Sequence, residues 1–318
     1  MHAIVRATGA AVLAGTAGLA YASLIERNWY ALRRFTVPVL PAGARPIRVL
    51  QISDLHLVPR QERKIAWVRS LAELEPDFVI DTGDNFADVA AAPAILRALE
   101  PLLARPGAFV MGSNDYWAPS PKNPARYLTA NYAKAPRARH AIPVEDLTDP
   151  LIRAGWTDLD NARRVVEVGP DRIPVEFVGV DDPHIERDRY ADVAGPRSDA
   201  AELMVGVLHA PYQRVLDAMT ADGAELVIAG HTHGGQLALP VFGALVTNCD
   251  LDRRRAKGLS RWWPGAGAPD EPRAGSGDEP DDAAYLHVSA GLGTSPYAPA
   301  RFACRPEATL LTLTARDS

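Results

Sequence analysis

Five times in this chain a short, mostly apolar run stops at aspartate, asparagine or histidine, and this recurrence limits the fold more than any other property of the sequence. Ile47 to Ile52 leads into Ser53-Asp54-Leu55-His56, and Asp77 to Ile80 leads into Asp81-Thr82-Gly83-Asp84-Asn85. Ala108 to Met111 precedes Gly112-Ser113-Asn114-Asp115, and Leu203 to Leu208 precedes His209-Ala210-Pro211. Glu225 to Ala229 precedes Gly230-His231-Thr232-His233-Gly234-Gly235-Gln236. Such continuous apolar runs are the pattern of strands covered on both faces. Helical spacing lies between them, at 62–74, where Ile65, Val68, Leu71 and Ala72 recur before Pro76, and again at 94–103 and 212–219. Strands alternating with helices predict an α/β fold with a largely parallel sheet, whose ligand crevice opens at the carboxyl ends of the strands. The five polar clusters should therefore meet in space.

The groups brought to that crevice are carboxylates, imidazoles and an amide, with no cysteine among them. This nitrogen and oxygen set suits manganese, iron, zinc or nickel rather than copper(I) or iron–sulfur clusters. Asp54 and His56 sit two residues apart and share one face of an extended chain. Seven donors exceed the needs of one ion. With Asp84 as a shared carboxylate they divide into two sites, about 3.5 to 4 Å apart in the arrangement that clamps attacking and leaving oxygens in phosphoryl displacement. The competing reading is that these are ordinary polar residues of solvated strand ends.

These motifs together resemble the calcineurin-like metallophosphoesterase superfamily and, within it, the YkuE-like bacterial group. The resemblance runs from about residue 46 to 314 and includes Ser289 to Thr294, Arg301-Phe302 and Pro306-Glu307. It implies a four-layer α/β/β/α sandwich of two mixed sheets with a dinuclear metal site at the strand carboxyl ends. Asp54, His56 and His233 would hold one ion, Asn114, His209 and His231 the other, with Asp84 bridging. Two divalent or trivalent ions (manganese, iron, zinc or nickel) and hydrolysis of a phosphoester or pyrophosphate by a metal-bridging hydroxide follow as expectations. The substrate would be a small-molecule or lipid-linked phosphoester. A metal-binding regulatory or scaffold protein with little turnover is the alternative.

One position departs from the family pattern. The superfamily usually reads Gly-Asn-His-Asp or Gly-Asn-His-Glu at the third cluster, its histidine assisting the leaving group, whereas here Asp115 follows Asn114 directly. Asp115 is thus the candidate general acid, which requires burial or neighbouring carboxylates to raise its pKa. On that reading, histidine at 115 would speed turnover of esters with poor leaving groups. Tyr116, His184 and Arg301 are candidate substrate contacts, His184 because Val175 to Val180 leads into Asp181-Asp182-Pro183-His184 as a sixth strand end.

At 318 residues and 47% hydrophobic content, the chain can bury a full core. A formal net charge of -5 offers no basic stripe for a polynucleotide, so no nucleic-acid partner is expected. Two cysteines, Cys249 and Cys304, do not make a disulfide framework. Nothing in the composition addresses oligomeric state.

Residues 1–35 read as an amino-terminal hydrophobic segment, with Ala7 to Ile25 free of charge and long enough to span a bilayer. A membrane anchor, a cleaved signal ending at Ala20-Tyr21-Ala22 and a small-residue helix packed on protein are its three readings. The first predicts membrane association, with Arg27, Arg33 and Arg34 leaning the catalytic part to the cytoplasmic side. Pro38, Pro41 and Pro46 mark 36–46 as a connector, 47–318 as the metallophosphoesterase domain, and 264–282 as a flexible insertion within it.

Overall fold

The computed structural model describes residues 13, 15–120, 140–268 and 279–316. One six-stranded sheet contains β1 (Ala31–Leu40), β2 (Ile47–Ile52), β3 (Phe78–Asp81), β4 (Gly107–Phe109), β5 (Thr157–Asp158) and the last strand, β14 (Glu307–Ala315), in the order β1-β14-β2-β3-β4-β5. The other contains β6 (Ala162–Val168), β7 (Ile173–Gly179), β8 (Leu203–Leu208), β9 (Leu226–Ala229), β12 (Gly258–Trp262) and β13 (Ala284–Val288), in the order β12-β13-β9-β8-β7-β6. A two-stranded hairpin, β10 (Ala238–Leu239) and β11 (Gly243–Ala244), stands apart. Both large sheets are mixed. β2 to β5 run parallel while β14 opposes β2; β7, β8, β9 and β13 run parallel between antiparallel edges β6 and β12.

Period-two alternation along these strands sends side chains into two layers. From β2, Ile47 and Val49 face the second sheet, where they join Phe78, Ile80, Phe177, Val205 and Ile228. Phe78 and Phe177 stack with centroids 4.7 Å apart, pinning the sheets face to face. Leu50 and Ile52 point the other way, onto Ile65 and Val68 of α1 (Glu62–Ser70), Ile95 and Leu99 of α2 (Ala92–Leu99) and residues of α4 (Glu145–Arg153); α3 (Ser113–Tyr116) is a single turn. Behind the second sheet, α5 (Gln213–Ala221) covers Met204, Leu208 and Val227 together with Trp262 and Trp263. The result is the α/β/β/α sandwich that the family resemblance implied. The largely parallel sheet read from alternation alone is present as a parallel run of four strands in each of two mixed sheets.

The three helical stretches foreseen at 62–74, 94–103 and 212–219 are present with shifted ends. The first changes from α to 3-10 geometry at Leu71–Leu74 and stops at Glu75, which takes a left-handed conformation ahead of Pro76.

The amino-terminal expectations need correction. The stretch read as a connector, 36–46, is strand as far as Leu40: β1 pairs in parallel with β14 from Ala31↔Glu307 to Leu40↔Ala315. Pro38 is accommodated because β1 is the sheet's edge and the register slips between Pro38 and Leu40. Membrane localisation is overturned as well, because no helix among the described residues is long and apolar enough to cross a membrane. Residues 15–20 are helical, a π turn at Tyr21–Ile25 and a 3-10 turn at Glu26–Asn28 follow, and the chain then enters β1. The end of this segment turns into the protein: Ala22 and Glu26 are buried, and the Glu26 carboxylate accepts from Cys304 N (2.7 Å) and Ala303 N (3.1 Å). Residues 1–12 and 14 of the segment lie outside the described residues, as do 269–278 of the expected insertion. The beginning of that insertion is packed, with Ala266 in the core beside Trp263.

Beneath the strand ends, one polar pair bridges the sheets. Gln51 donates to Ala229 O (2.9 Å) and Thr82 Oγ1 (3.1 Å), and its Oε1 accepts from His287 Nδ1 at 2.6 Å. Burial holds His287 down at about 3, far under the ordinary value near 6.5, so the folded protein keeps this ring neutral while the unfolded chain protonates it. Its folded pKa is depressed, so its stabilising contribution is full above pH 6.5 and falls as pH drops towards 3. Acid titration of thermal stability should therefore be shallower in His287→Gln between pH 6.5 and 4 than in wild type. Identical slopes would show that His287 does not contribute to acid sensitivity.

Candidate metal centre

The carboxyl ends of β2, β3, β4, β8 and β9 open on one side of the sandwich, and the loops leaving them interlock before any side chain is considered. Asp54 N donates to Gly83 O (2.8 Å) and His56 N to Asp84 O (3.0 Å), which ties the first loop to the second. Gly230 N donates to His209 O (2.9 Å) and so ties the fifth to the fourth. The backbone is sharply turned at the chemistry-bearing positions: Asp54, His56, Asp84, His231 and His233 all have φ between 39° and 70°. Non-glycine residues seldom take this conformation, and it gathers at functional sites. Glycine is required where the loops touch: a Cβ at Gly112 would lie 2.4 Å from Asp84 Oδ1, and one at Gly230 would lie 2.1 Å from Ser53 Oγ.

Ligand atoms of Asp54, His56, Asp84 and His233 lie within 4.8 Å of one another. His56 Nε2 and His233 Nε2 are 3.2 Å apart, His233 Nε2 and Asp54 Oδ1 3.6 Å, and His56 Nε2 and Asp84 Oδ2 3.4 Å. The same Asp84 oxygen is 3.6 Å from His209 Nε2, which faces His231 Nδ1 at 3.2 Å. Asn114 completes the group, its side-chain amide 2.6 Å from Asp84 Oδ2 and its backbone N–H 2.7 Å from Asp84 Oδ1. Asp84 therefore stands between two sets of histidines.

Tautomers on the His209 side are set by carbonyls. His209 Nδ1 donates to Thr82 O (2.7 Å) and His231 Nε2 to Asn248 O (3.3 Å), because a carbonyl only accepts; this leaves Nε2 of one and Nδ1 of the other facing inwards. Two inward lone pairs at 3.2 Å need a proton or a cation between them.

The electrostatics agree. Burial opposes a charge on His209, yet Asp84, Asp182 and Asp54 push it up to about 10. A place where carboxylates would hold a proton so firmly favours a cation. Burial lowers His56 to about 4 and puts His231 and His233 well below the ordinary range, so these rings keep a free lone pair. For Asp84 burial works against the charge, but His209, His56 and the two Asn114 donors outweigh it and keep the carboxyl below its usual range. Asp54 Oδ1 and His56 Nδ1 are buried and make no hydrogen bond. Hard anionic oxygen with neutral imidazole nitrogen fits a divalent ion of the manganese, iron or zinc kind.

The residues assigned catalytic or substrate roles fare differently. Asp115 is fully buried and turned away from the cleft: its carboxylate accepts from Asp84 N (2.7 Å), Asn85 N (2.7 Å), Gly112 N (2.9 Å) and Phe86 N (3.4 Å). Burial and the Asp84 charge raise its pKa, but both oxygens are engaged by N–H donors, so no proton is presented to a leaving group. The general-acid assignment of Asp115 is therefore wrong, and its work is to close the Gly112 turn and staple it to the Asp84 loop. With Asp115 as the closing acid of Gly-Asn-His-Asp, Asn114 falls at the pattern's histidine and Ser113 at its asparagine. The departure from the pattern is two residues, not one.

Arg301 is also no substrate contact. Its side chain is fully buried and donates to Ala290 O (2.7 Å), Gly291 O (3.0 Å) and Gly293 O (2.7 Å), with a longer 3.3 Å contact to His233 Nδ1. Tyr116 spends its hydroxyl on Asp181 (2.9 Å) and Asp160 (3.1 Å) under the Arg187 guanidinium, and so forms wall rather than contact. His184 does reach the centre's edge. Its ring lies 4.5 Å from that of His231, with Nδ1 3.1 Å from Tyr212 Oη.

Supporting residues escaped the sequence reading. Lys64 of α1 is buried and donates to Leu55 O (2.7 Å) and His56 O (3.4 Å), holding the first loop from behind. Ser53 Oγ donates to Asp54 Oδ2 (2.5 Å). Nothing in the local sequence marks Ser53, whereas Lys64, on the apolar side of an amphipathic helix with Ile65 and Val68, was an available signal.

The family model for calcineurin-like phosphoesterases matches residues 47–235. The chain is similar to phosphodiesterase YaeI of Escherichia coli K12, at 26% identity over 96% of each protein. It is likewise similar to the uncharacterized metallophosphoesterase YkuE of Bacillus subtilis 168, at 24% identity over 96% of this chain and 93% of that one. Among solved structures it is similar to TT1561 of Thermus thermophilus, at 13% identity and a TM-score of 0.36, covering 78% of this chain and 91% of that one.

Proposed function

The chain belongs to the calcineurin-like phosphoesterase family and is a phosphoester hydrolase, and we propose that it works with two metal ions that share Asp84. The carrying observation is the placement of Asp84 Oδ2, 3.4 Å from His56 Nε2 and 3.6 Å from His209 Nε2, between two sets of inward imidazoles. Asp54, His56 and His233 hold one ion and His209 and His231 the other, with Asn114 beside the shared carboxylate. Bound there, the ions would make water a nucleophile at neutral pH and draw charge off the phosphoryl oxygens.

The chain's own contribution is positional. Thr82 and Asn248 carbonyls fix two imidazole tautomers, Asn114 orients Asp84 through both of its oxygens, and Lys64 and Asp115 hold the loops that carry the ligands. With Asp115 facing away and an uncharged amide at 114, the Gly112 turn supplies no acid. Leaving groups must therefore depart as stable anions or take a proton from solvent.

The substrate on this reading is a small or lipid-linked phosphoester, with a diester favoured by the relative named as a phosphodiesterase. The test is hydrolysis of bis(p-nitrophenyl) phosphate, p-nitrophenyl phosphate and an alkyl phosphodiester by manganese-loaded protein. We expect the aryl diester to turn over fastest and the alkyl diester at least about a hundredfold more slowly, the low end of the usual return from general-acid catalysis. Rates at buffer background for all three would sink the enzyme reading. Equal aryl and alkyl rates would show that a proton donor outside the Gly112 turn serves the leaving group.

A further inference from the structure

We propose that the β10–β11 hairpin is an apolar rest for an alkyl or acyl chain carried by the substrate, so that the centre acts on amphiphilic phosphoesters. The inference rests on the reading above that the metal centre holds the phosphoryl group.

The hairpin is tied to the centre at both ends. Its chain leaves His233 through Gly234-Gly235-Gln236 and returns to Asn248, whose carbonyl accepts from His231 Nε2 (3.3 Å). β11 packs so closely on the metal loop that a Cβ at Gly235 would lie 2.5 Å from Ala244 Cβ. A second segment, 289–304, runs alongside. Its Gly293 lies against His56, where a Cβ would be 2.6 Å from His56 Cβ. Phe302 of the same segment exchanges backbone hydrogen bonds with the base of the hairpin: Phe302 N donates to Gln236 O (3.1 Å) and Ala238 N to Phe302 O (2.9 Å). The two segments form one lip beside His56, His231 and His233.

This lip is patterned the wrong way round for water. The paired residues Ala238 and Ala244 are buried, whereas Leu237 and Leu239 turn outwards, 46% and 48% exposed. At the tip Val241 is fully exposed and Phe242 is 60% exposed, and Phe302 adds a partly exposed ring. Val241 also takes φ 72°, a conformation that β-branched residues seldom adopt and that glycine or asparagine adopts readily. Single exposed apolar residues are ordinary, but a contiguous set beside a ligand site marks a binding surface. Leu237 and Leu239 share one face of the chain and lead out to the tip. Such a row fits an extended chain better than a compact ring.

Charge fits the remainder of such a ligand. The Arg253 guanidinium stands over the Phe242 ring, 5.1 Å from its centroid, so a cation flanks the apolar row. Metal ions at one end and an arginine beside the row favour an anionic head on an uncharged tail.

The test is calorimetric titration of methyl-, butyl- and octylphosphonate, one head group on three chain lengths, into the manganese-loaded full chain and its Val241→Ser/Phe242→Ser variant. Wild type should bind octylphosphonate at least about tenfold more tightly than methylphosphonate, the gain from burying about two methylenes. In the variant that ratio should fall to within about threefold. Each protein is compared with itself, so a small loss of folded protein does not disturb the ratio. Equal affinity for all three in wild type, or a preference kept in full by the variant, would overturn the inference and leave the metal-centre reading standing. Failure of all three to bind wild type would overturn both. Sedimentation under the same conditions separates other occupants. A wild-type dimer that the variant loses would give the hairpin to a second copy, and a preference seen only where octylphosphonate forms micelles would reflect adsorption to an aggregate. Either result refutes the inference.

Discussion

Asp84→Ala should reduce hydrolysis of bis(p-nitrophenyl) phosphate to background and weaken binding of both manganese equivalents. Asp84 Oδ1 accepts from Asn114 N (2.7 Å), while Oδ2 is the oxygen shared by Asn114 Nδ2 (2.6 Å), His56 Nε2 (3.4 Å) and His209 Nε2 (3.6 Å). Alanine removes the one anion common to both sets and frees the Asn114 side chain as well. Changes to residues that only support metal ligands cost about 10- to 100-fold in affinity or activity, which sets a floor for a shared ligand. Rate measurements with and without chelator, alongside calorimetric titration, read both effects. A variant that keeps a tenth of wild-type turnover would remove Asp84 from the centre of the mechanism.

The second large effect concerns Asp115, where the tertiary structure reverses the expectation from sequence. Histidine at this position looked like the restoration of a missing acid. In the fold it would strip four backbone N–H groups, those of Asp84, Asn85, Phe86 and Gly112, of the acceptor that holds two ligand-bearing loops together. Each buried donor left unpaired costs about 1–3 kcal/mol, so even partial rescue by water leaves a loss of several kcal/mol. For a chain of this size that is a fall in Tm of roughly 10 °C. Asp115→His should therefore unfold earlier, bind manganese more weakly and turn over no ester faster. Unchanged Tm together with faster alkyl-ester hydrolysis would restore the general-acid role.

Much of the site was legible because a parallel α/β arrangement makes strand ends predictable. Apolar runs give strands, and the loops just past parallel runs gather at one crevice. Asp54, His56, Asp84, Asn114, His209, His231 and His233 could thus be grouped without coordinates, and the structure puts them within a few ångströms of one another. What lay between the ligands was far less legible. The Thr82 and Asn248 carbonyls fix imidazoles at chain separations of 127 and 17 residues, and no local pattern records a contact from residue 248 to residue 231. The connector at 36–46 failed for a related reason: its prolines forbid a central strand but not an edge one, and only the pairing with β14, far along the chain, makes β1 an edge.

The amino-acid sequence alone determined the α/β class and a set of side chains chemically able to bind metal, because these depend on apolar periodicity and on which side-chain atoms can donate to an ion, while its motifs carried the family resemblance. Only the tertiary structure decided which way those side chains face. Asp115 and Asp182 are both aspartates just past an apolar run, alike in sequence. Four N–H groups from converging loops engage both oxygens of the first, whereas the second caps the Pro183–Ile185 turn with one oxygen and keeps the other buried without a hydrogen bond. A carboxylate's role follows from the donors around it, and those donors are assembled by packing between distant segments rather than by neighbours along the chain.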